Sequence, residues 1–238
     1  MAKRNIQERI AALASEIQTA AGDNLIALFV YGAMVREEHP HDPHPDIAVI
    51  LRDASAAALD QLGPAIARWA RAGERPPLIM SELSWRASTD VFPIEIEEMR
   101  EAHTLLRGRD LFDDLTTDPE DLRRELEREA RGKLLQLNVH YAAAVEDGRA
   151  LADLLRESVK TFFVLFRAAL RLAGRTPPAK HATLVQETAK LAGFDPSAFT
   201  WPLAQLGADK PASLAAHDPV GATYVDALGR FVAYVDQA

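Results

Sequence analysis

Two short, wholly apolar runs, at residues 25–31 and 47–51, constrain what this chain can fold into more than any other feature. Gly22-Asp23-Asn24 precedes the first and a proline-rich stretch precedes the second. A strand-length run without polar alternation leaves no face for water, so each reads as a strand covered on both sides by helices. The flanking sequence supplies such helices. Ile6, Ile10, Leu13 and Ile17 recur at helical spacing over residues 4–20. Leu59, Leu62, Ile66 and Trp69 do so over 54–72, with a bend expected at Gly63-Pro64, where proline removes a backbone donor. Residues 76–80 read as a third strand. Residues 91–97 alternate with period two and read as a fourth, placed at an edge by Pro93, with Glu95 and Glu97 sharing one face.

After Gly108 the pattern becomes helical and stays so. Asp118-Pro119-Glu120-Asp121 combines an N-cap residue, proline at the first helical position and acid in the first turn, so a long helix starts there. Leu122, Leu126, Leu134, Leu137 and Tyr141 form its apolar stripe. A second helix carries Leu151, Leu154, Leu155, Val159, Phe162, Phe163 and Phe166, a face broad enough for the centre of a bundle. Shorter helices are expected near 180–191 and 219–236. The fold class is therefore α+β: an N-terminal α/β domain with a small mixed sheet over residues 1–114, then an all-α helical bundle over 115–238. At 238 residues each half is long enough to bury its own core.

Hydrophobic residues at 48% and charged residues at 26% argue against disorder. A formal charge of −8 excludes a broad nucleic-acid surface, which needs lysine and arginine gathered on one face. The chain has no cysteine, hence neither a disulfide framework nor a thiolate metal site. Met1-Ala2-Lys3-Arg4 leads into a polar helical pattern instead of an apolar leader, and no run approaches the ~18 apolar residues of a membrane span. The expectation is a cytoplasmic protein with no membrane partner.

The first strand ends in Tyr31-Gly32-Ala33 and the second opens with Asp46-Ile47-Ala48. This pair resembles the nucleotidyltransferases of the DNA polymerase β superfamily, in which the first strand leads into Gly-Ser and the second carries Asp-x-Asp. The Ser position is Ala33 here and the second Asp position is Ala48. The segments running from Pro77 through Glu95, from His103 to Gly108 and from Leu126 to Leu135 are similar to bacterial nucleotidyltransferase-domain proteins with a C-terminal helical domain.

What the resemblance implies follows residue by residue. Asp46 matches the first carboxylate, and Glu95, or Glu97 in its stead, matches the third, which helps hold a metal or acts as base toward an acceptor hydroxyl. Gly32 matches the glycine at which backbone approaches triphosphate, and Ala33 keeps an amide there. Arg131 and Lys133 are the basic residues of the helical part that the resemblance offers to phosphates. The implied cofactor is Mg²⁺, held by Asp46 and Glu95 with His44 as a substitute ligand in a His-x-Asp arrangement, and the implied partner is a nucleoside triphosphate. Strand alternation puts Ala48 on the face of Asp46, where a methyl group ligates nothing. The resemblance thus carries the fold further than the reaction, and whether the chain is an enzyme stays open.

Three functions remain: a nucleotide- or phosphate-ligand-binding protein with weakened or lost transfer; an active metal-dependent nucleotidyltransferase acting on a small-molecule or protein hydroxyl; and an interaction protein, antitoxin-like or dimerising, with a homodimer or helical partner. Plainer roles stand beside each residue. Asp46 would cap a strand, Glu95 and Glu97 would form a solvated face, and Gly32 would serve only the turn. The loop His39-Pro40-His41-Asp42-Pro43-His44-Pro45-Asp46 has the donor types of a Zn²⁺ or Ni²⁺ site, against the plain reading of a rigid solvated connection.

Overall fold

Strand β1 (Leu25–Tyr31) is the axis of the first half of the molecule. In the computed structural model, which describes residues 2–36, 44–206, 208 and 212–238 with side chains from residue 6 onward, β1 lies inside a four-stranded sheet. The order is β3-β2-β1-β4, with β2 spanning Asp46–Leu51, β3 Leu78–Ser81 and β4 His103–Gly108. β1 pairs antiparallel with β2 and β4, while β2 and β3 run parallel, so the sheet is mixed. The chain divides into two compact units, Met1–Thr117 and Asp118–Ala238.

Both faces of β1 and β2 are covered, as their lack of alternation requires. On one face α1 (Ala2–Ala21) and α3 (Ala56–Arg71) bury Ile10, Leu13, Ile17, Leu62 and Trp69 against Leu28, Val30, Ile47 and Val49. On the other, Ala27, Phe29, Ala48 and Ile50 meet Trp85 of α4 (Glu82–Arg86), Ile96 and Met99 of α5 (Pro93–Glu101), and Leu111, Phe112 and Leu115. Phe29 lies edge-on to Trp85 at 5.7 Å and to Phe112 at 5.4 Å, arrangements favoured by the ring quadrupoles.

The strand expected at 91–97 is a helix. Pro93 occupies the first turn of α5, where its missing N–H costs nothing, and the Ile96 amide bonds the Phe92 carbonyl at 3.0 Å. The alternation covered too few residues to outweigh proline at a helix start and four glutamates of good helical propensity. The strand beside β1 at that edge is instead β4, in the segment that ended the apparent sheet region of the sequence. Gly108 closes it at φ +80°, and a Cβ there would lie 2.0 Å from the Ile26 carbonyl oxygen, so only glycine lets β4 approach β1.

The second unit is all helical among its described residues. Its elements are α6 (Pro119–Ala144), α7 (Gly148–Leu172), α8 (His181–Ala192), α9 (Thr200–Gln205) and α10 (Pro219–Val235). The Asp118 carboxylate accepts the Glu120 amide at 2.7 Å and starts α6 as its sequence requires. Phe166 is the hub, with Phe194, Phe199 and Phe231 at 5.8, 5.5 and 4.8 Å. Tyr224, fully buried, bonds Ser158 Oγ at 3.0 Å, which satisfies its hydroxyl inside the core.

Candidate functional site

The resemblance's key residues meet at one end of the sheet. β1 leaves the sheet through Gly32 at φ +77°, a left-handed conformation suited to glycine, and the chain turns directly into α2 (Ala33–Arg36). The Val35 and Arg36 amides close that turn on the Gly32 carbonyl at 3.0 and 3.1 Å. Gly32's own amide is spent on the Ala102 carbonyl at 2.9 Å, so it does not face a ligand. Asp46, the cross-strand partner of Tyr31, brings Oδ2 to 3.6 Å from where a Gly32 Cβ would stand.

Two groups interact with Asp46. Arg75, in the segment between α3 and β3, donates from Nη1 to Asp46 Oδ1 at 3.4 Å, with the arginine side chain 60% and the aspartate 35% exposed. Tyr31 is pushed up to about 12, first by burial and then by the Asp46 charge, with Arg75 opposing. Its hydroxyl therefore stays a donor across the working pH range.

The other face-mate of Asp46 is Ala48, and it is fully buried. It pairs with Phe29 across the strands and belongs to the cluster that holds Trp85 and Phe112. Two cations ~3.5–4 Å apart need carboxylates that bridge them. The strand end offers one carboxylate already joined to a guanidinium, and the second position is apolar core. Among the described residues no three His, Asp or Glu side chains converge to hold a metal. The donor set does not fit a two-cation site.

The remaining candidates are dispersed. His44 Nδ1 lies 2.9 Å from Glu74 Oε2, and Glu74, itself buried, places Oε1 2.7 Å from Arg9 Nη1 of α1. The structure thus gives His44 a buried carboxylate that orients its ring, and both oxygens of Glu74 are engaged. Glu95 is exposed in the first turn of α5. Glu97 accepts the Thr117 hydroxyl at 2.6 Å and pairs with Arg100 at 3.3 Å, a bonding pattern internal to that corner. On a helix the two glutamates, two residues apart, no longer share a face as they would on a strand. In the helical unit Arg131 is engaged by Glu127 at 3.0 Å and Asp236 at 2.9 Å. Lys133 lines a cavity of about 340 Å³ between α6 and α7 with Gln136, His140, Glu157 and Ser158. His39, His41 and Asp42 lie outside the described residues. The sequence gives no sign of Arg75, Glu74 and Arg9, because Arg75 meets Asp46 across 29 positions, Glu74 meets His44 across 30 and Arg9 meets Glu74 from the distant α1, none of them within a motif.

No protein-family model matches the chain, and no curated protein matches it either. Among solved structures it is similar to the crystal structure of spectinomycin adenyltransferase AAD(9) from Enterococcus faecialis with ATP and spectinomycin. The TM-score is 0.59 over 94% of this chain and 98% of that one, at 12% identity. At that identity the likeness establishes a shared fold, a small mixed-sheet α/β unit followed by helices.

Proposed function

We propose that this protein is nucleotidyltransferase-like and binds a nucleotide or related phosphate ligand at the β1–β2 strand end, with nucleotidyl transfer lost or much weakened. One observation carries the reading: Ala48, on the sheet face that Asp46 shares, is buried in the core of Phe29, Trp85 and Phe112. Transfer relies on charge neutralisation at phosphorus by bridged cations, and this face has neither the second carboxylate nor solvent at its position. What supports retained binding is a fold shared with a protein solved with ATP.

Calorimetric titration of ATP, GTP, CTP and UTP, paired with an assay for NMP transfer to acceptor mixtures, tests it. Saturable binding without transfer is expected. Transfer at an ordinary enzymatic rate, abolished by Asp46→Ala, would overturn the loss of catalysis.

A second reading, that the helical unit engages a partner chain, has its own support. Leu135 and Val139, one turn apart on α6, are 67% and 68% exposed, more apolar surface than a solvated helix needs. Light scattering of the wild type against Leu135→Glu checks it: a mass that falls on substitution supports association, and a monomer in both cases, with nothing retained in pull-down, removes it.

A further inference from the structure

The exposed face of α6 carries a pattern that fits a second copy of the same helix. We propose that the chain forms a twofold dimer in which α6 of one copy packs antiparallel on α6 of the other, centred between Leu135 and Val139. The inference rests on the reading that the helical unit engages a partner chain, and goes beyond it by naming that partner as a second copy and fixing its direction and register.

Three observations carry it. Arg128, Gly132, Leu135, Val139, Ala142 and Glu146 follow one another at steps of three and four, so they share one stripe along α6 and the turn after it. Its middle is the exposed Leu135 and Val139, and its ends are opposite charges, with the Arg128 side chain 68% and the Glu146 side chain 78% exposed. Gly132 is the second observation. Glycine is costly inside a helix, and a Cβ added here would meet nothing within 4 Å, so among the described residues its own chain gives no steric reason for it, whereas a helix approaching from outside does. The third is register. A twofold contact sets residue i against j and j against i. With the axis level with Leu137, an antiparallel pair sets Leu135 against Val139, Gly132 against Ala142 and Arg128 against Glu146, each twice, so apolar meets apolar, small meets small and cation meets anion.

A parallel pair would set Arg128 against Arg128 and Glu146 against Glu146, so the charges choose the direction. Within one chain Arg128 meets Glu129 at 3.1 Å and Glu125 at 3.8 Å, and Glu146 meets His217 at 2.9 Å. The Glu129 and His217 pairs are solvent-exposed and worth little, so they yield to a partner or share it. One helix from each copy makes an interface of no more than about 1,200 Å², which places the dimer in the weak, concentration-dependent class.

Sedimentation equilibrium of the full chain, from micromolar to submillimolar concentration, compares wild type with Gly132→Gln, Arg128→Glu, Glu146→Arg and the double variant carrying both reversals, with circular dichroism to show that each folds. The expected result is a monomer–dimer equilibrium in wild type. Gly132→Gln, a better helix former, keeps the fold and abolishes the dimer. Each charge reversal alone weakens the dimer by about threefold or more, and the double variant restores it. A dimer indifferent to Gly132→Gln, or one that the double variant fails to restore, overturns the antiparallel α6 pairing. A wild type that stays monomeric throughout overturns the inference as well. The reading beneath it then stands if the immobilised chain retains a different protein that Leu135→Glu releases, and falls with it if nothing is retained.

Discussion

Gly32 and Ala48 show how single residues divide the work at the strand end. Gly32 is required by backbone conformation, since φ is +77° and the nearest atom to an added Cβ is 3.6 Å away, ordinary contact. Gly32→Ala should therefore cost about 1–2 kcal/mol, the penalty of a left-handed alanine, read by denaturant unfolding with an unchanged m-value. Placing at positions 33 and 48 the Ser and Asp that the resemblance names there should give different results. Ala33→Ser adds a hydroxyl at the partly exposed start of α2 and should move stability by no more than about 0.5 kcal/mol. Ala48→Asp forces an unpaired charge among Phe29, Trp85 and Phe112 and should cost at least about 3 kcal/mol without restoring transfer. Normal stability with transfer gained in Ala48→Asp would show that the face opens to solvent. At this scale the sequence was legible where it carried a local motif: the turn at Gly32 and the place of Asp46 and Ala48 on one strand follow from it. It was silent on Arg75 and on the His44–Glu74–Arg9 chain, because ion pairs between distant segments leave no periodic trace.

At the scale of elements, helix starts were the most readable signals and the short period-two run the least. Asp118-Pro119 marks α6 in the sequence, and the same pair recurs at Asp195-Pro196 and Asp218-Pro219. There the carboxylates accept the Ser197 amide at 2.9 Å and the Val220 amide at 3.0 Å. Residues 91–97 misled because two isoleucines and alternating glutamates fit a strand, while Pro93 and the burial of Ile96 and Met99 fit a helix, and the helix prevailed. The join between α5 and β4 then depends on His103, whose Nδ1 lies 3.1 Å from both the Met99 and Arg100 carbonyls and whose Nε2 lies 2.9 Å from Asp110. Partial burial raises the Asp110 carboxyl, but the Phe112 amide and His103 outweigh it and hold it below its ordinary 3.8. A carboxyl depressed on folding stabilises above its unfolded value, and that contribution is lost as pH falls through the lower folded one. The stability gap between wild type and Asp110→Asn should thus be full at pH 6 and shrink below about pH 3.8, seen by urea unfolding across pH. A gap independent of pH would assign the effect to the Asp110 hydrogen bonds alone.

For the whole molecule, the α+β class and the run of helices after the sheet follow from the change of hydrophobic period near residue 108, and the shared fold with an adenyltransferase agrees with both. The site was legible only in part. The strand-end scaffold is written in local motifs, whereas its charge balance is written in tertiary contacts between distant segments. The central claim, phosphate-ligand binding without efficient transfer, is tested most directly by phosphorus NMR of ATP mixed with the protein in Mg²⁺, with spectinomycin and a deproteinised cell extract as acceptor sources. One spectrum reports both halves of the claim: the account predicts shifted or broadened phosphate resonances and ATP that persists for hours. Sharp, unshifted resonances would contradict binding, and a growing pyrophosphate signal would contradict the loss of transfer.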